Sequence, residues 1–287
     1  MTILKSILVT LLSFIIVTLL DFLIFGFHYN LAIYPHIVGL SYIVPILLSY
    51  ILLIVYLHRS TPGIALKRVS IVRNYWLLMG LLIFLAIGDH LVDLPLFHWK
   101  DLSNKYFGTK FEIPQYPIYK FSFFKLYNYF SVLLVAPIFE EIFFRYYIFG
   151  GMLKKYSFLT ALLVSSILFA LIHIDSPRNL IPTFVFGIIT AFVYFRTQKI
   201  IYSILLHFFT NAMWLVSVVF TKQYDHLIKV MDFGIAFWIV FLFGIILIVF
   251  GVKKLTAANM GLPQAGPDKL TSSFYLYCAL AIGLISP

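Results

Sequence analysis

Residues 137–145 read Pro137-Ile138-Phe139-Glu140-Glu141-Ile142-Phe143-Phe144-Arg145. Two carboxylates and a guanidinium stand here inside an apolar run, about 126–150, long enough to cross a bilayer as a helix. Three charged side chains near a bilayer centre cost very roughly 8–10 kcal/mol. The Leu, Ile, Phe and Val residues of the same run offset most of that and no more. Such a helix barely inserts alone, so it must face polar partners or a water-filled cavity. Glu141 and Arg145 are four apart, share a face and can pair. Glu140 is rotated by about 100° from Glu141 and points elsewhere. The bland alternative is a buried ion cluster that glues helices together.

The rest of the chain is consistent with a membrane setting. Of 287 residues, 62% are hydrophobic and 11% charged, and the mean hydropathy is +1.00. A soluble domain is less apolar and carries about twice the charge. An ordinary cytosolic enzyme, a disordered tail and a fibrous repeat are excluded. A single cysteine, Cys278, excludes a disulfide scaffold and a cysteine zinc site. The apolar runs are long and unbroken, unlike the short alternating segments of an outer-membrane barrel. The formal charge of +10 does not point to nucleic acid, because the basic residues lie between apolar runs, as loop charges that set orientation do.

The fold expected is all-α: a polytopic transmembrane bundle of about eight helices enclosing a polar cavity. The spans fall near 6–27, 37–57, 75–92, 126–150, 157–174, 180–195, 200–220 and 233–252. The sixth is short and must sit steeply or thin the bilayer. Within one membrane domain, residues 1–125 form an N-terminal part, 126–220 the core and 221–287 a C-terminal part. A stretch at Phe274–Ser286 is too short to span comfortably, and Thr256–Ser273 reads as a linker. The outer loop about 94–125 is aromatic and interfacial, and its second half can form an amphipathic helix. No internal repeat is visible and no cleavable leader is expected.

With the N-terminus inside, the inner loops hold Lys5, Arg59, Lys67, Arg68, Arg73, Lys154, Lys155, Arg196, Lys199, Lys253 and Lys254, and no acidic residue. The outer loops hold eight basic residues along with several acidic ones. This split favours an N-terminus on the inner side.

Two further spans carry polar residues. Phe169-Ala170-Leu171-Ile172-His173 ends the fifth, with Phe169 and His173 on one face. His207-Phe208-Phe209-Thr210-Asn211 lies within the seventh, with His207 and Asn211 on one face. Each has a plain reading as an interfacial histidine or as interhelical glue. Together they add two imidazoles and an amide to the carboxylates. Asp89, His90 and Asp93 read as an interfacial cap at the end of the third span, although a cation site is conceivable. Asp21 sits near an outer end, and His28, His36, His58, His98 and His226 fall in loops.

A buried carboxylate beside an imidazole can take a proton from water and return it. If Arg145 holds Glu141 ionised, Glu140 remains to exchange the proton. A second histidine with an asparagine amide can donate to a developing oxyanion. These are the parts of amide hydrolysis. The same side chains, Glu140, His173 and His207, also make a conceivable zinc set. No cofactor is favoured, since the His-Glu-x-x-His motif is absent. A Gly-x-Ser-x-Gly nucleophile is also absent, and the paired aspartate motifs of presenilin-type proteases are not met.

The three motifs resemble those of the CPBP family (CAAX proteases and bacteriocin-processing enzymes, also called Abi): Glu-Glu-x-x-x-Arg at 140–145, Phe-x-x-x-His at 169–173 and His-x-x-x-Asn at 207–211. They occur in the family's order over about 130–215. The resemblance implies an intramembrane endopeptidase of about eight helices around a conical cavity. It implies that Glu140 and His173 activate water and that His207 and Asn211 form the oxyanion hole. Glu141 takes part beside them, and Arg145 and Phe169 support the site. The family has been described both as metal-dependent and as glutamate-dependent.

The expected partners are membrane lipid and a peptide or protein substrate; oligomeric state is left open. The Ile, Phe, Lys and Tyr bias suggests an AT-rich bacterial genome, hence the bacterial cytoplasmic membrane, and a role in bacteriocin maturation or self-immunity. The alternatives are a non-catalytic membrane scaffold or immunity protein of the same family, and a proton-relaying transporter. One expectation is in tension with the span boundaries: loop charge puts His173 near the outer end of its helix and His207 nearer the inner end of its own.

Overall fold

The computed structural model describes residues 1–25, 35–60, 75–97, 129–173, 180–220 and 230–257, with isolated positions between 220 and 230. The proposed linker beyond Ala257, the outer loop from 98 to 125, Phe274–Ser286 and Cys278 lie outside the described residues. All regular structure described is helical. In hydrocarbon, a helix satisfies every backbone group within its own segment, so each apolar run becomes one. The helices are α1 (Ile3–Phe25), α2 (Pro35–Ser60) and α3 (Tyr75–Phe97). A composite helix, α4 (residues 131–152), follows, then α5 (Phe158–Leu171), α6 (Leu180–Thr197), α7 (Ile200–Val219) and α8 (Ile235–Ala257). Six of the eight are long and apolar enough to cross a membrane; α4 and α5 are the exceptions.

The shortest span is therefore the fifth and not the sixth. At 14 residues, α5 is about 21 Å long. Ser157 starts it: its side chain accepts from the Thr160 amide at 3.2 Å, an N-cap. Between α6 and α7 the chain reverses over two residues. Gln198 adopts a left-handed conformation, φ 54°, which ends α6 and lets α7 run back beside it. The hydroxyl of Ser203 on α7 donates to the Thr190 carbonyl on α6 at 3.1 Å.

The fourth span is not a uniform α-helix. A π-helical turn, Ser131–Val135, leads into a short α-helix, Ala136–Glu141. A second π-helical stretch, Ile142–Phe149, precedes the last turn, Gly150–Met152. Phe143, Phe144, Phe149 and Arg145 on this helix are among the largest fully buried side chains. The molecule is thus built around α4.

On the other side, α3 and α8 lie nearly backbone to backbone. A Cβ on Gly88 would stand 2.9 Å from the Gly244 carbonyl, and one on Gly244 would stand 2.8 Å from Leu91 Cβ. Only glycine permits that approach. Lys5 Nζ donates to Ser60 Oγ at 2.9 Å, Arg196 donates to the Thr256 carbonyl at 2.7 Å, and the Met1 amine donates to the Gly151 carbonyl at 3.0 Å. These contacts gather the start of α1 and the ends of α2, α4, α6 and α8 at one end of the bundle. Every described Lys and Arg except Arg145 lies at that end.

Two expectations about polar residues change. Asp89 and Asp93 do not cap an interface: they are 0% and 6% exposed. Because α3 runs on to Phe97, both lie inside the helix and are covered by its neighbours. Neither His36 nor His58 is in a loop: both lie in α2, His36 in its first turn and His58 in its last, where the His58 Nδ1 and the Tyr147 hydroxyl share a 3.3 Å hydrogen bond.

Candidate active site

The site is assembled from α4, α5, α6 and α7. Glu140 and Glu141 end the α-helical segment of α4, and both are buried. Glu141 Oε2 lies 3.2 Å from Arg145 Nε, the i,i+4 pair that the spacing suggested. Its other oxygen, Oε1, accepts from His207 Nδ1 on α7 at 3.0 Å. The carboxylate that meets an imidazole directly is therefore Glu141, not Glu140. Since a carboxylate only accepts, the proton sits on Nδ1, and His207 turns Nε2 the other way.

Arg145 is held from three sides. Its Nε donates to Thr190 Oγ1 on α6 at 2.9 Å and its Nη2 to the same oxygen at 2.5 Å. Its guanidinium carbon stands 4.3 Å from the centre of the Phe169 ring, within cation–π range. Thr190 in turn donates to the Phe186 carbonyl at 3.0 Å. A fully buried guanidinium is tolerable only with partners of this kind.

Phe169 also resolves the tension over depth. Its ring centre lies 5.1 Å from that of His173 and 6.0 Å from that of His207, so both imidazoles flank one phenylalanine. His173 lies one turn past Phe169 at the end of the 14-residue α5, so the two imidazoles sit within about a helical turn of one another in depth. His207 packs against Phe186 as well, at 4.8 Å. His173 Nδ1 donates to the Phe169 carbonyl at 3.0 Å, which leaves Nε2 as the basic nitrogen of the neutral ring.

Asn211, one turn beyond His207 on α7, donates from Nδ2 to the Val132 carbonyl on α4 at 2.7 Å. His207 and Asn211 thus share a face, as their spacing implied, and that face looks at α4. Glu140 is 8% exposed. Its Oε2 is buried with no hydrogen-bond partner, and no hydrogen bond joins Glu140 to either imidazole among the described residues.

Glu140, His173 and His207 do not gather as a metal set here. No group of three or more His, Cys, Asp or Glu side chains comes together in that way among the described residues. As placed, these three side chains do not converge to hold a zinc ion.

Sequence reasoning missed Thr190, Phe186 and Val132. Thr190 was visible as a hydroxyl in an apolar span, but such a residue usually bonds back to its own helix, which it also does here. Val132 acts through its carbonyl, which no side-chain pattern reveals.

These features define a polytopic helical membrane protein with an acid, imidazole and amide cluster buried between its spans. A family profile, Type II CAAX prenyl endopeptidase Rce1-like, matches residues 122–213. A Lactococcus lactis subsp. lactis (strain IL1403) protein, "UPF0177 protein YxdF", is 30% identical over 148 residues, 51% of this chain and 77% of that protein. A Bacillus subtilis (strain 168) protein, "Putative membrane peptidase YdiL", is 40% identical over 79 residues, 28% of this chain and 32% of that protein, so the chain matches about a third of that relative. No solved structure matches. The chain belongs to the CPBP family.

Proposed function

We propose that this protein is an intramembrane endopeptidase that hydrolyses a peptide bond of a membrane-associated peptide or protein, with Glu140 and His173 activating water. The observation that carries the reading is the unpartnered Glu140 carboxyl oxygen. Most buried polar atoms find a partner, and one that does not calls for an explanation. Glu141 is engaged by His207 and by its ion pair with Arg145, and Arg145 by Thr190, although Arg145 Nη1 is itself without a hydrogen-bond partner; Glu140 is the acid that none of these contacts engages.

In this reading Glu140 takes a proton from water, and the hydroxide adds to the scissile carbonyl. The neutral His173, through Nε2, holds that water or relays its proton. Negative charge moves onto the carbonyl oxygen, where the Asn211 amide and His207 Nε2–H stabilise it. The C–N bond then breaks, and the proton passes to the departing amine. Donation from Nε2 requires a doubly protonated His207, which Glu141 supports through Nδ1. The cluster of Glu140, Glu141, Arg145 and His207 is then electrically neutral overall, as burial in hydrocarbon demands.

The orientation we favour has the basic end of the bundle, and with it the N-terminus, on the inner side of a bacterial cytoplasmic membrane. A role in bacteriocin maturation or self-immunity suits the bacterial relatives. The test is cleavage by purified protein in liposomes, with fluorescein-casein and a farnesylated Cys-aliphatic-aliphatic-X peptide as probes. Glu140→Gln, His173→Ala, His207→Ala and Asn211→Ala should each reduce turnover by about 100-fold or more, and a chelator should leave it intact. Folded Glu140→Gln and His173→Ala proteins with full biological activity would support the scaffold reading instead.

A further inference from the structure

In the π-helical turn that opens α4, the Ala136 amide donates to the Ser131 carbonyl, five residues back. It is therefore directed away from the Val132 carbonyl, its ordinary α-helical partner. In the π register Val132 would take the amide of residue 137, but that residue is proline and has none. The Val132 carbonyl is thus left without a donor in its own helix. An orphaned carbonyl in a membrane costs several kcal/mol unless something else supplies a proton. The donor comes from another helix: Asn211 Nδ2, at 2.7 Å.

We propose that Pro137 is a positioning residue for hydrolysis: by withholding an amide from Val132, it makes that carbonyl the anchor that sets the rotation of the Asn211 carboxamide. One N–H of the amide is spent on Val132. The second N–H is then fixed in direction and available to a developing oxyanion. This role rests on the proposed hydrolase reading, but the link between positions 137 and 211 is physical and can be measured without activity.

The experiment is a double-mutant cycle on the full chain in detergent, with Pro137→Ala, Asn211→Ala and both together. The Pro137→Ala substitution supplies the missing amide, which can close the ladder onto Val132. Asn211→Ala should therefore lower the melting temperature in the wild-type background and leave it nearly unchanged in the Pro137→Ala background. With fluorescein-casein as probe, Pro137→Ala should reduce kcat on the order of 100-fold with KM little changed, and adding Asn211→Ala should reduce it little further. Independent effects of the two substitutions on melting temperature would overturn the link. Coupled melting with wild-type kcat in Pro137→Ala would overturn the positioning role. A wild-type protein that cleaves neither probe used above, with the melting cycle still coupled, would sink the hydrolase reading and the catalytic meaning of Pro137 with it.

Discussion

Glu141 is shared between two cations' worth of donors: its Oε1 accepts from His207 Nδ1 at 3.0 Å while its Oε2 faces Arg145 Nε at 3.2 Å. One side chain thereby ties α7 to α4, and Arg145 extends the chain of contacts to Thr190 on α6. Glu140, its neighbour in sequence, has a buried oxygen with neither a hydrogen bond nor an ion pair among the described residues. Adjacent glutamates in one helix therefore carry different loads.

That difference sets the first expectation. Glu141→Gln should destabilise the protein by about 3–5 kcal/mol, because it leaves the buried Arg145 charge uncompensated. Glu140→Gln should leave stability nearly unchanged, because His207 can give up its second proton and keep the cluster neutral, while abolishing turnover. Thermal unfolding in detergent, with peptide cleavage measured on the same samples, separates the two. Equal losses of stability would contradict the division of roles.

Thr190 should matter through its hydroxyl rather than its shape. Thr190→Val keeps the branching and removes the acceptor for two Arg145 donors, at a cost of about 1–3 kcal/mol. Thr190→Ser should keep most of the stability. A melting temperature that falls as far in the serine variant as in the valine variant would show that packing, not the hydrogen bond, is what counts.

The α3–α8 contact gives a purely steric expectation. A Cβ at position 244 meets the Gly88 carbonyl at 2.9 Å and Leu91 Cβ at 2.8 Å, whereas one at Gly80 meets nothing within 4 Å. Gly244→Ala should lower stability by about 1–3 kcal/mol, and Gly80→Ala should be neutral or mildly stabilising. Unfolding midpoints of the two variants provide the check.

Asp89 is fully buried, and neither of its oxygens has a hydrogen-bond partner among the described residues. Asp89→Asn removes the ionisable group at constant size, so the melting temperature should stay level or rise. A marked drop would reveal a partner for the carboxylate.

Much of this architecture is legible in the sequence because hydrocarbon leaves a chain few options. Eight apolar runs become eight helices, within a few residues of their expected bounds. The pairing of Glu141 with Arg145 follows from i,i+4 spacing alone. What the sequence hides depends on local departures from the ideal helix. Pro137 stands in plain view, but its effect on the register of α4, and so on the Val132 carbonyl, is a backbone event. The depth of His173 is not given by loop charge, which locates the ends of a helix and does not show at what depth they lie. Asp89 and Asp93 look interfacial only if the third span ends near them, whereas α3 continues to Phe97.

The most direct measurement is the fate of solvent oxygen. Purified protein in liposomes made with ¹⁸O-labelled water should release a peptide fragment whose new carboxylate carries the label, read by mass spectrometry, and Glu140→Gln should release none. Labelled product formed by Glu140→Gln at the wild-type rate, or no product from the wild type, would contradict water activation by Glu140 between these helices.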